Sequence, residues 1–246
     1  MKLYCIQVGA FRLPRGFVAA RCENADIPTD MPIYAYLIEH PTKGLILVDT
    51  GQNYDLRDAN TIMDSEDSII HRLCSLGYTT DDVGYIVMSH LHLDHSGYMN
   101  EFPNSTFIVR KEELRSAWWP DASEGGYVFD TYDKTRRYKY IEPEDEEELD
   151  LFMDGSIILI DTRGHSRGHQ SVILDLPKTG KTILACDAAP LREALDRTLL
   201  PGTCTDNRQA VRSIQKLKRL EDCGYTIVFP HDPDNPPSRA FPDYIE

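Results

Sequence analysis

The feature that most constrains this chain is the stretch from residue 89 to residue 97, which reads SHLHLDHSG. It places three histidines and one aspartate within six positions, directly after an apolar run at 84–88 that predicts a buried strand. One histidine is often structural, but four side chains of the metal-ligand type need a stronger explanation. Imidazole nitrogens and carboxylates together suit zinc, and also iron, manganese or cobalt. The stretch therefore predicts a metal site at the end of a strand.

Three more residues of the same type follow later apolar runs. His165 comes after residues 157–160, Asp187 after the run that ends at 186, and His231 after residues 226–229. Strand ends on one edge of a sheet can converge in space, and open α/β folds commonly bind ligands there. Together these side chains could hold two metals that share one carboxylate. The candidate ligands are His90, His92, Asp94, His95, His165, Asp187 and His231.

Composition limits the class of protein. With 246 residues and no internal repeat or low-complexity linker, the chain predicts one domain over residues 1–246. The six cysteines are scattered without a C-x-x-C pair, and no secretory signal is evident, so we expect a cytoplasmic protein without a disulfide scaffold. The formal charge of −14 argues against nucleic acid or an anionic membrane as a partner, and no apolar run is long enough to span a bilayer. The oligomeric state stays open.

Periodicity and turn residues predict the main elements. Strands are expected at 3–8, 33–38, 44–48, 84–88, 106–109, 157–160, 171–174, 181–186 and 226–229, and helices at 67–74, 111–118 and from Asp206 to about Gly224. Residues 10–31 are interpreted as an irregular arm. The acidic run at 142–150 is interpreted as a solvated loop or helix face. The aromatic residues between 118 and 140 favour ordinary packing over a substrate-pocket wall.

These motifs resemble the signature of the metallo-β-lactamase superfamily. Residues 90–95 resemble its H-x-H-x-D-H motif, 49–51 its D-T-G turn and 164–169 its G-H-x-x-G-H motif, while Asp187 and His231 resemble its bridging aspartate and final histidine. The landmarks follow the family order from about residue 30 to the C-terminus. The resemblance implies an α/β (α+β) fold, an αββα sandwich of two mixed β-sheets flanked by helices, with a dinuclear metal centre at its edge.

Within the superfamily the chain is similar to the N-acyl homoserine lactonases, through GHSRGHQS at 164–171, DAA at 187–189 and FPDYI at 241–245. That branch implies a hydrolase that opens a lactone ring by attack of a metal-bridging hydroxide, with two divalent ions, zinc favoured over iron, manganese or cobalt. Asp94 and Asp187 would be the catalytic residues, the first moving a proton and the second fixing the metal spacing. His90, His92 and His165 would bind one metal, Asp94, His95 and His231 the other, and Asp187 both. His169 would hydrogen-bond to a metal ligand without binding a metal itself.

Two positions depart from the lactonase pattern. Lactonases of this branch carry a carbonyl-polarising tyrosine three residues after the bridging aspartate, where this chain has Pro190. The donor role is then either vacant or filled from elsewhere, with Tyr127, Tyr132 and Arg192 as the candidates. Leu93 stands where relatives often have phenylalanine, which suggests altered packing around an acyl chain.

Other activities stay open at this point. A hydrolase of the same fold could act on a different lactone, an ester or a thioester. A β-lactamase is disfavoured because Cys186 is one position out of register with the cysteine that those enzymes usually place where Asp187 stands. A redox or metal-binding protein of the flavodiiron type is the alternative from another class.

Overall fold

The structure is a computed structural model that describes residues 1–122, 124–144 and 146–246. The strands of its first sheet are β1 (Lys2–Pro14), β2 (Pro28–His40), β3 (Gly44–Val48), β4 (Thr61–Ile62), β5 (Val83–Val87), β6 (Thr106–Ile108) and β7 (Lys139–Ile141). They are ordered β4-β1-β2-β3-β5-β6-β7. The pairs β1–β2 and β2–β3 are antiparallel, whereas β3–β5, β5–β6 and β6–β7 are parallel, so the sheet is mixed.

The second sheet contains β8 (Glu148–Asp150), β9 (Ile157–Asp161), β10 (Gln170–Leu176), β11 (Gly180–Leu184) and β12 (Thr226–Val228). Its order is β12-β11-β10-β9-β8. The β11–β12 pair is parallel, whereas β8–β9, β9–β10 and β10–β11 are antiparallel, so this sheet is mixed as well. The helices are α1 (Ile69–Ser75), α2 (Leu93–Ser96), α3 (Lys111–Trp118), α4 (Arg192–Arg197) and α5 (Asn207–Asp222). None of the helices in the described residues is both long and apolar enough to cross a membrane.

Both faces of the central strands are buried, which explains why they appear as continuous apolar runs in the sequence. In β2, Tyr36 and Ile38 face the second sheet, whereas Ala35 and Leu37 pack on the helical side with α1 and α3. The outer face of the second sheet packs against α5. The layers are therefore helix, sheet, sheet and helix, and the predicted αββα sandwich is confirmed.

Helix α5 forms where the amphipathic pattern predicts it. The Asp206 side chain accepts the backbone N–H groups of Arg208 and Gln209, which satisfies two donors that a helix start leaves unpaired. Ile214 and Leu217 are fully buried against the second sheet, and the helix ends just before Gly224. This helix therefore covers the strands that lead to His165 and Asp187.

The interpretation of residues 10–31 as an irregular arm is wrong at both ends. β1 continues to Pro14 and β2 begins at Pro28, with these two prolines paired at the open end of the ladder. Proline lacks a backbone N–H, but it is tolerated at strand ends and beside bulges, and the register shifts between Gln7 and Ala10. Only the tip between the strands is irregular. It packs on the body through hydrogen bonds from Ala20 N to Leu200 O and from Gly202 N to Val18 O.

The acidic run is only partly the loop that the sequence predicts. Glu142, Glu144, Glu146 and Glu147 are exposed outside helices and strands, while Asp145 lies outside the described residues. The last three residues of the run form the edge strand β8. Charged side chains on an edge strand discourage pairing with a second chain, so an acidic sequence is compatible with a strand here.

Candidate metal centre

The strand ends converge as the sequence predicts. All seven candidate side chains lie together, in overlapping groups whose nitrogen and oxygen atoms are within 4.8 Å of one another. These groups are His90, His92 and His165; His90, His95 and Asp187; and Asp94, His95 and His231. Because β5, β9, β11 and β12 deliver them from both sheets, the cluster lies at the edge where the two sheets meet.

The first group consists of three imidazoles that face one point. His90 Nε2 lies 3.0 Å from His92 Nδ1, and His165 Nε2 lies 3.1 and 3.0 Å from the same two atoms. Burial, reinforced by the other histidines, holds the pKa of His90 well below its usual value and lowers the pKa of His92 to about 3. Burial likewise lowers the pKa of His165. The rings are therefore neutral at pH 7, which is the form that binds a metal.

The second group combines carboxylates with imidazoles. His95 Nε2 lies 3.3 Å from both Asp94 Oδ2 and Asp187 Oδ1, and His231 Nε2 lies 3.2 Å from Asp187 Oδ1. Burial lowers the pKa of His95, but Asp94, Asp187 and Asp49 outweigh it and raise that pKa well above its usual value. This half of the cluster thus favours a positive charge, which a divalent cation would supply.

Asp187 joins the two groups. Its Oδ2 lies 3.4 Å from His165 Nε2, while its Oδ1 lies beside His95 and His231. Asp187 Oδ1 and His95 Nε2 are buried and have no hydrogen-bond partner among the described residues. An unpaired buried polar atom costs about 1–3 kcal/mol, so a native fold keeps one where a ligand satisfies it. The donor set, nitrogen and carboxylate oxygen in two adjoining groups, fits two divalent metals.

The outward nitrogens of the imidazoles are held by the surrounding structure. His165 Nδ1 donates to Thr203 O at 2.8 Å, and His231 Nδ1 donates to Pro32 O at 2.7 Å. A carbonyl oxygen can only accept, so Nδ1 carries the proton in both rings and Nε2 faces the cluster. Such outer contacts orient metal ligands and raise their basicity.

The D-T-G turn at 49–51 holds the 90–95 segment. Asp49 accepts hydrogen bonds from the backbone N–H and the hydroxyl of Ser89, both at 2.7 Å, and its Oδ2 lies 2.7 Å from His95 Nδ1. Thr50 Oγ1 donates to His95 O, and Gly97 N donates to Gly51 O. The turn therefore fixes both ends of the cluster.

We expect Gly97→Ala to destabilise the protein. A Cβ at this position would lie 2.4 Å from Asn53 N and Gly51 O, which are backbone atoms that cannot rotate away. Overpacking of this kind costs about 1–3 kcal/mol, which corresponds to a melting temperature lower by roughly 2–12 °C in a domain of this size. Thermal unfolding measures the shift. Gly84→Ala is the control, since its nearest neighbour would be Leu45 O at 3.9 Å, and an equal loss in both variants would contradict the close approach at Gly97.

His169 lies behind the cluster rather than in it. Its ring is fully buried with its centroid 5.3 Å from that of His90, and its Nδ1 lies 2.9 Å from Thr162 Oγ1. It belongs to none of the three ligand-type groups. This position is compatible with the supporting role that the sequence predicts.

A cleft of about 420 Å³ opens above the cluster. Its floor contains His92, Asp94, His165, Asp187 and His231. The β1–β2 hairpin supplies an apolar wall of Phe11, Leu13, Phe17 and Val18. The sequence interpretation missed this wall, although the alternation of Phe11 and Leu13 is a strand signal that could have revealed it.

The aromatic residues between 118 and 140 do not line the cleft, and the packing interpretation is the better one. Trp118, Phe129 and Tyr132 pack against one another with ring centroids 5.1–5.9 Å apart. Of the described residues in this part of the chain, Gly125 and Gly126 line the cleft.

A metallo-β-lactamase superfamily model matches residues 28–231. The chain belongs to this superfamily. Similar proteins indicate the branch of the superfamily to which this chain is related. The N-acyl homoserine lactonase AttM of Azorhizobium caulinodans is 32% identical over an alignment that covers 100% of this chain and 99% of the relative. The N-acyl homoserine lactonase AiiA of Bacillus thuringiensis subsp. kurstaki is 31% identical, with 99% and 98% covered. The resemblance to the lactonase branch is thereby confirmed.

Solved structures of the branch share the fold. An N-acyl homoserine lactone hydrolase with the product N-hexanoyl-L-homoserine bound at its catalytic metal centre superposes with a TM-score of 0.84. It is 29% identical to this chain, and the match covers 99% of this chain and 98% of that one. The overall fold of this chain thus agrees with that of the lactonase branch.

The prediction that Tyr127, Tyr132 or Arg192 supplies the hydrogen-bond donor missing at Pro190 is wrong. The Tyr127 hydroxyl donates to Glu113 at 3.0 Å, and the Tyr132 hydroxyl donates to Ala117 O at 2.8 Å. Arg192 pairs with Asp196 and Glu221. None of the three lines the cleft. The cleft-lining residues with polar side chains outside the cluster are Gln52, Asp58, Thr61 and Thr203.

Proposed function

We propose that this protein is a dinuclear metal-dependent lactonase whose substrate is an N-acyl homoserine lactone. The observation that carries the proposal is the position of Asp187, with one oxygen beside His165 and the other beside His95 and His231, on the floor of a cleft with an apolar wall. The names of the similar lactonases support the same reaction. The product of a relative's reaction, bound at the metal centre of its structure, supports the same site.

The proposed ligand assignment follows the two groups of the cluster. His90, His92 and His165 would hold one metal, Asp94, His95 and His231 the other, and Asp187 would contact both. Imidazole nitrogen and carboxylate donors suit zinc, which is the proposed metal, and also iron, manganese and cobalt as alternatives. When bound, divalent cations supply Lewis acidity toward the lactone carbonyl and lower the pKa of water enough for attack at neutral pH.

Asp94 is the proposed proton carrier. Its side chain lines the cleft and is 15% exposed, so a bound substrate can reach it. Burial opposes its ionisation, but His95 and His231 lower the pKa of Asp94 below its usual value and keep it a carboxylate at pH 7. It accepts the proton that the attacking water loses and passes it to the alkoxide oxygen freed when the ring C–O bond breaks. The product is an open-chain hydroxy acid.

The apolar wall suits an acyl chain. Phe11, Leu13 and Phe17 offer apolar surface within the cleft, where buried hydrocarbon contributes about 25 cal/mol per Å². Leu93, which stands where relatives often have phenylalanine, also lines the cleft. The substrate's acyl chain would therefore pack differently here than in those relatives. For the cellular location we propose the cytoplasm, since all six cysteines are unpaired, as is usual in a reducing compartment.

A panel of lactones tests the function. We expect proton release at pH 7–8 with N-acyl homoserine lactones of short and long chains, and no turnover of a cephalosporin. Pro190 cannot donate a hydrogen bond, and it stands where lactonases of this branch carry the carbonyl-polarising tyrosine. The panel therefore also includes γ- and δ-lactones without the acyl amide as the second candidate substrates. Absence of turnover on every lactone would refute the proposal. Elemental analysis of the same preparation tests zinc against redox-active iron, which the flavodiiron alternative requires.

A further inference from the structure

Glu113 is a buried carboxylate outside the candidate ligand set. It lies on α3 and is 0% exposed. Its Oε1 accepts hydrogen bonds from Leu91 N at 2.9 Å and from the Tyr127 hydroxyl at 3.0 Å. Its Oε2 accepts from the Ser166 hydroxyl at 2.6 Å and from Gly168 N at 2.9 Å. A charge withdrawn from water is costly unless such bonds compensate it, so the arrangement needs a reason.

Each of the four donors belongs to a segment beside candidate metal ligands. Leu91 lies between His90 and His92, and Ser166 follows His165 directly. Tyr127 packs on His92 with ring centroids 5.0 Å apart. A single carboxylate therefore connects the turn at 90–92, the turn at 165–168 and the segment that covers His92.

The contact between α3 and the second turn is close at the backbone level. A Cβ on Gly168 would lie 2.4 Å from Glu113 N and from Glu113 Cβ. The turn at 165–168 therefore rests directly on the helix, and Glu113 reaches from that contact to the turn at 90–92. His92 Nδ1 and His165 Nε2 lie 3.0 Å apart, and the two turns that carry these residues both donate hydrogen bonds to the Glu113 carboxylate.

We propose that Glu113 is a positioning residue that sets the two turns relative to each other and thereby the affinity of the His90, His92 and His165 group for its metal. The proposal rests on the metal centre of the proposed function, and not on the identity of the lactone. Burial raises the pKa of Glu113, while bonds from Ser166, Leu91, Gly168 and Tyr127 favour its charged form. Four donors converging on two oxygens suit the carboxylate, because a carboxylic acid would direct its own proton at one of them.

Glutamine cannot replace Glu113 in this arrangement. Each carboxylate oxygen receives one backbone N–H and one hydroxyl. A hydroxyl can reverse its role, but a backbone N–H cannot. Either orientation of a glutamine amide would therefore set its NH₂ group against the N–H of Leu91 or of Gly168, and one turn would move away.

The test is the zinc affinity of Glu113→Gln, measured by competition with a chromophoric chelator, with folding checked by circular dichroism. We expect the affinity for at least one zinc to fall about 10–100-fold, as is usual when an outer contact of a metal ligand is lost. The cobalt-substituted variant should show altered visible absorption bands. Glu112→Gln is the matched control, because it makes the same change on the exposed side of the same helix, where Glu112 pairs with Arg115.

A folded Glu113→Gln variant that binds both zinc ions as tightly as the wild type would overturn the proposal. If this variant does not fold, Ser166→Ala and Tyr127→Phe each remove one donor and keep the carboxylate. We expect each to weaken zinc binding about fivefold, as the loss of one hydrogen bond implies, and unchanged affinity in both would equally overturn the proposal. Wild-type protein that binds no metal would refute the proposed function itself, and wild-type protein that binds zinc but opens no lactone would refute only the substrate.

Discussion

Asp187→Asn is expected to lose bound metal and to reduce lactone hydrolysis by about 1,000-fold or more. The carboxylate reaches both halves of the cluster, with Oδ2 3.4 Å from His165 Nε2 and Oδ1 3.2 Å from His231 Nε2. A neutral amide offers one acceptor oxygen in place of two charged ones, so it cannot serve both metals. Metal catalysis supplies several kcal/mol of transition-state stabilisation, and each 1.4 kcal/mol is a factor of about ten in rate. Elemental analysis after desalting and initial rates on a homoserine lactone measure the two losses.

Asp175→Asn is the matched control for this experiment. Asp175 lies in β10, is exposed, and pairs with Lys181 at 3.1 Å on the surface. We expect this variant to keep its metal and its rate, since a surface ion pair contributes little. A variant of Asp187 with two equivalents of metal and undiminished turnover would rule out the proposed bridge.

Asp94→Asn is expected to lower kcat by about 10²–10⁴-fold, the range typical for loss of a general acid or base. Asparagine at this position cannot accept a proton from water or return one to the leaving oxygen. Asp94 Oδ2 also lies 3.3 Å from His95 Nε2 and 3.7 Å from His231 Nε2, so we expect weaker binding of the second metal as well. Rates measured at saturating zinc separate the two effects, because added metal restores occupancy but not proton transfer.

The control for Asp94 is Asp58→Asn. Asp58 lines the same cleft and its carboxylate accepts a hydrogen bond from the Thr61 hydroxyl, but it belongs to none of the ligand-type groups. A loss specific to Asp94 therefore reports proton transfer rather than the negative charge of the cleft. Equal losses in the two variants at saturating zinc would contradict the proposed role.

The β-lactamase alternative is weakened by where Cys186 lies. Its side chain is fully buried between the two sheets, and its Sγ contacts Leu184 O, whereas Asp187 faces the cluster. Burial raises the pKa of the Cys186 thiol well above its usual value, so the thiolate form that binds metals is suppressed. The one-position offset that the sequence predicts thus separates the two side chains into different environments.

The class of fold followed from the resemblance to the metallo-β-lactamase superfamily, whereas the sequence alone was sufficient for the composition of the cluster. The 90–95 motif, with His165, Asp187 and His231 each just past an apolar run, carries that information because strand ends and ligand types are local properties. The amphipathic pattern of α5 and its Asp206 cap are local in the same sense. These features follow from the 3.6-residue period of helices and from the chemistry of single side chains.

Only the tertiary structure decided which side chains face the cleft. The hairpin wall of Phe11 and Phe17 comes from a segment whose prolines suggest irregularity, and only the structure shows that β1 and β2 pair through these prolines. The Tyr127 hydroxyl donates to Glu113, and the position of Tyr127 in the sequence does not indicate this contact. Glu113 itself is one acidic residue among many in the sequence, and its role depends on four donors from three other segments. A hydrogen-bond partner or a pocket wall is a relation between segments, and composition and spacing along one chain do not encode that relation directly.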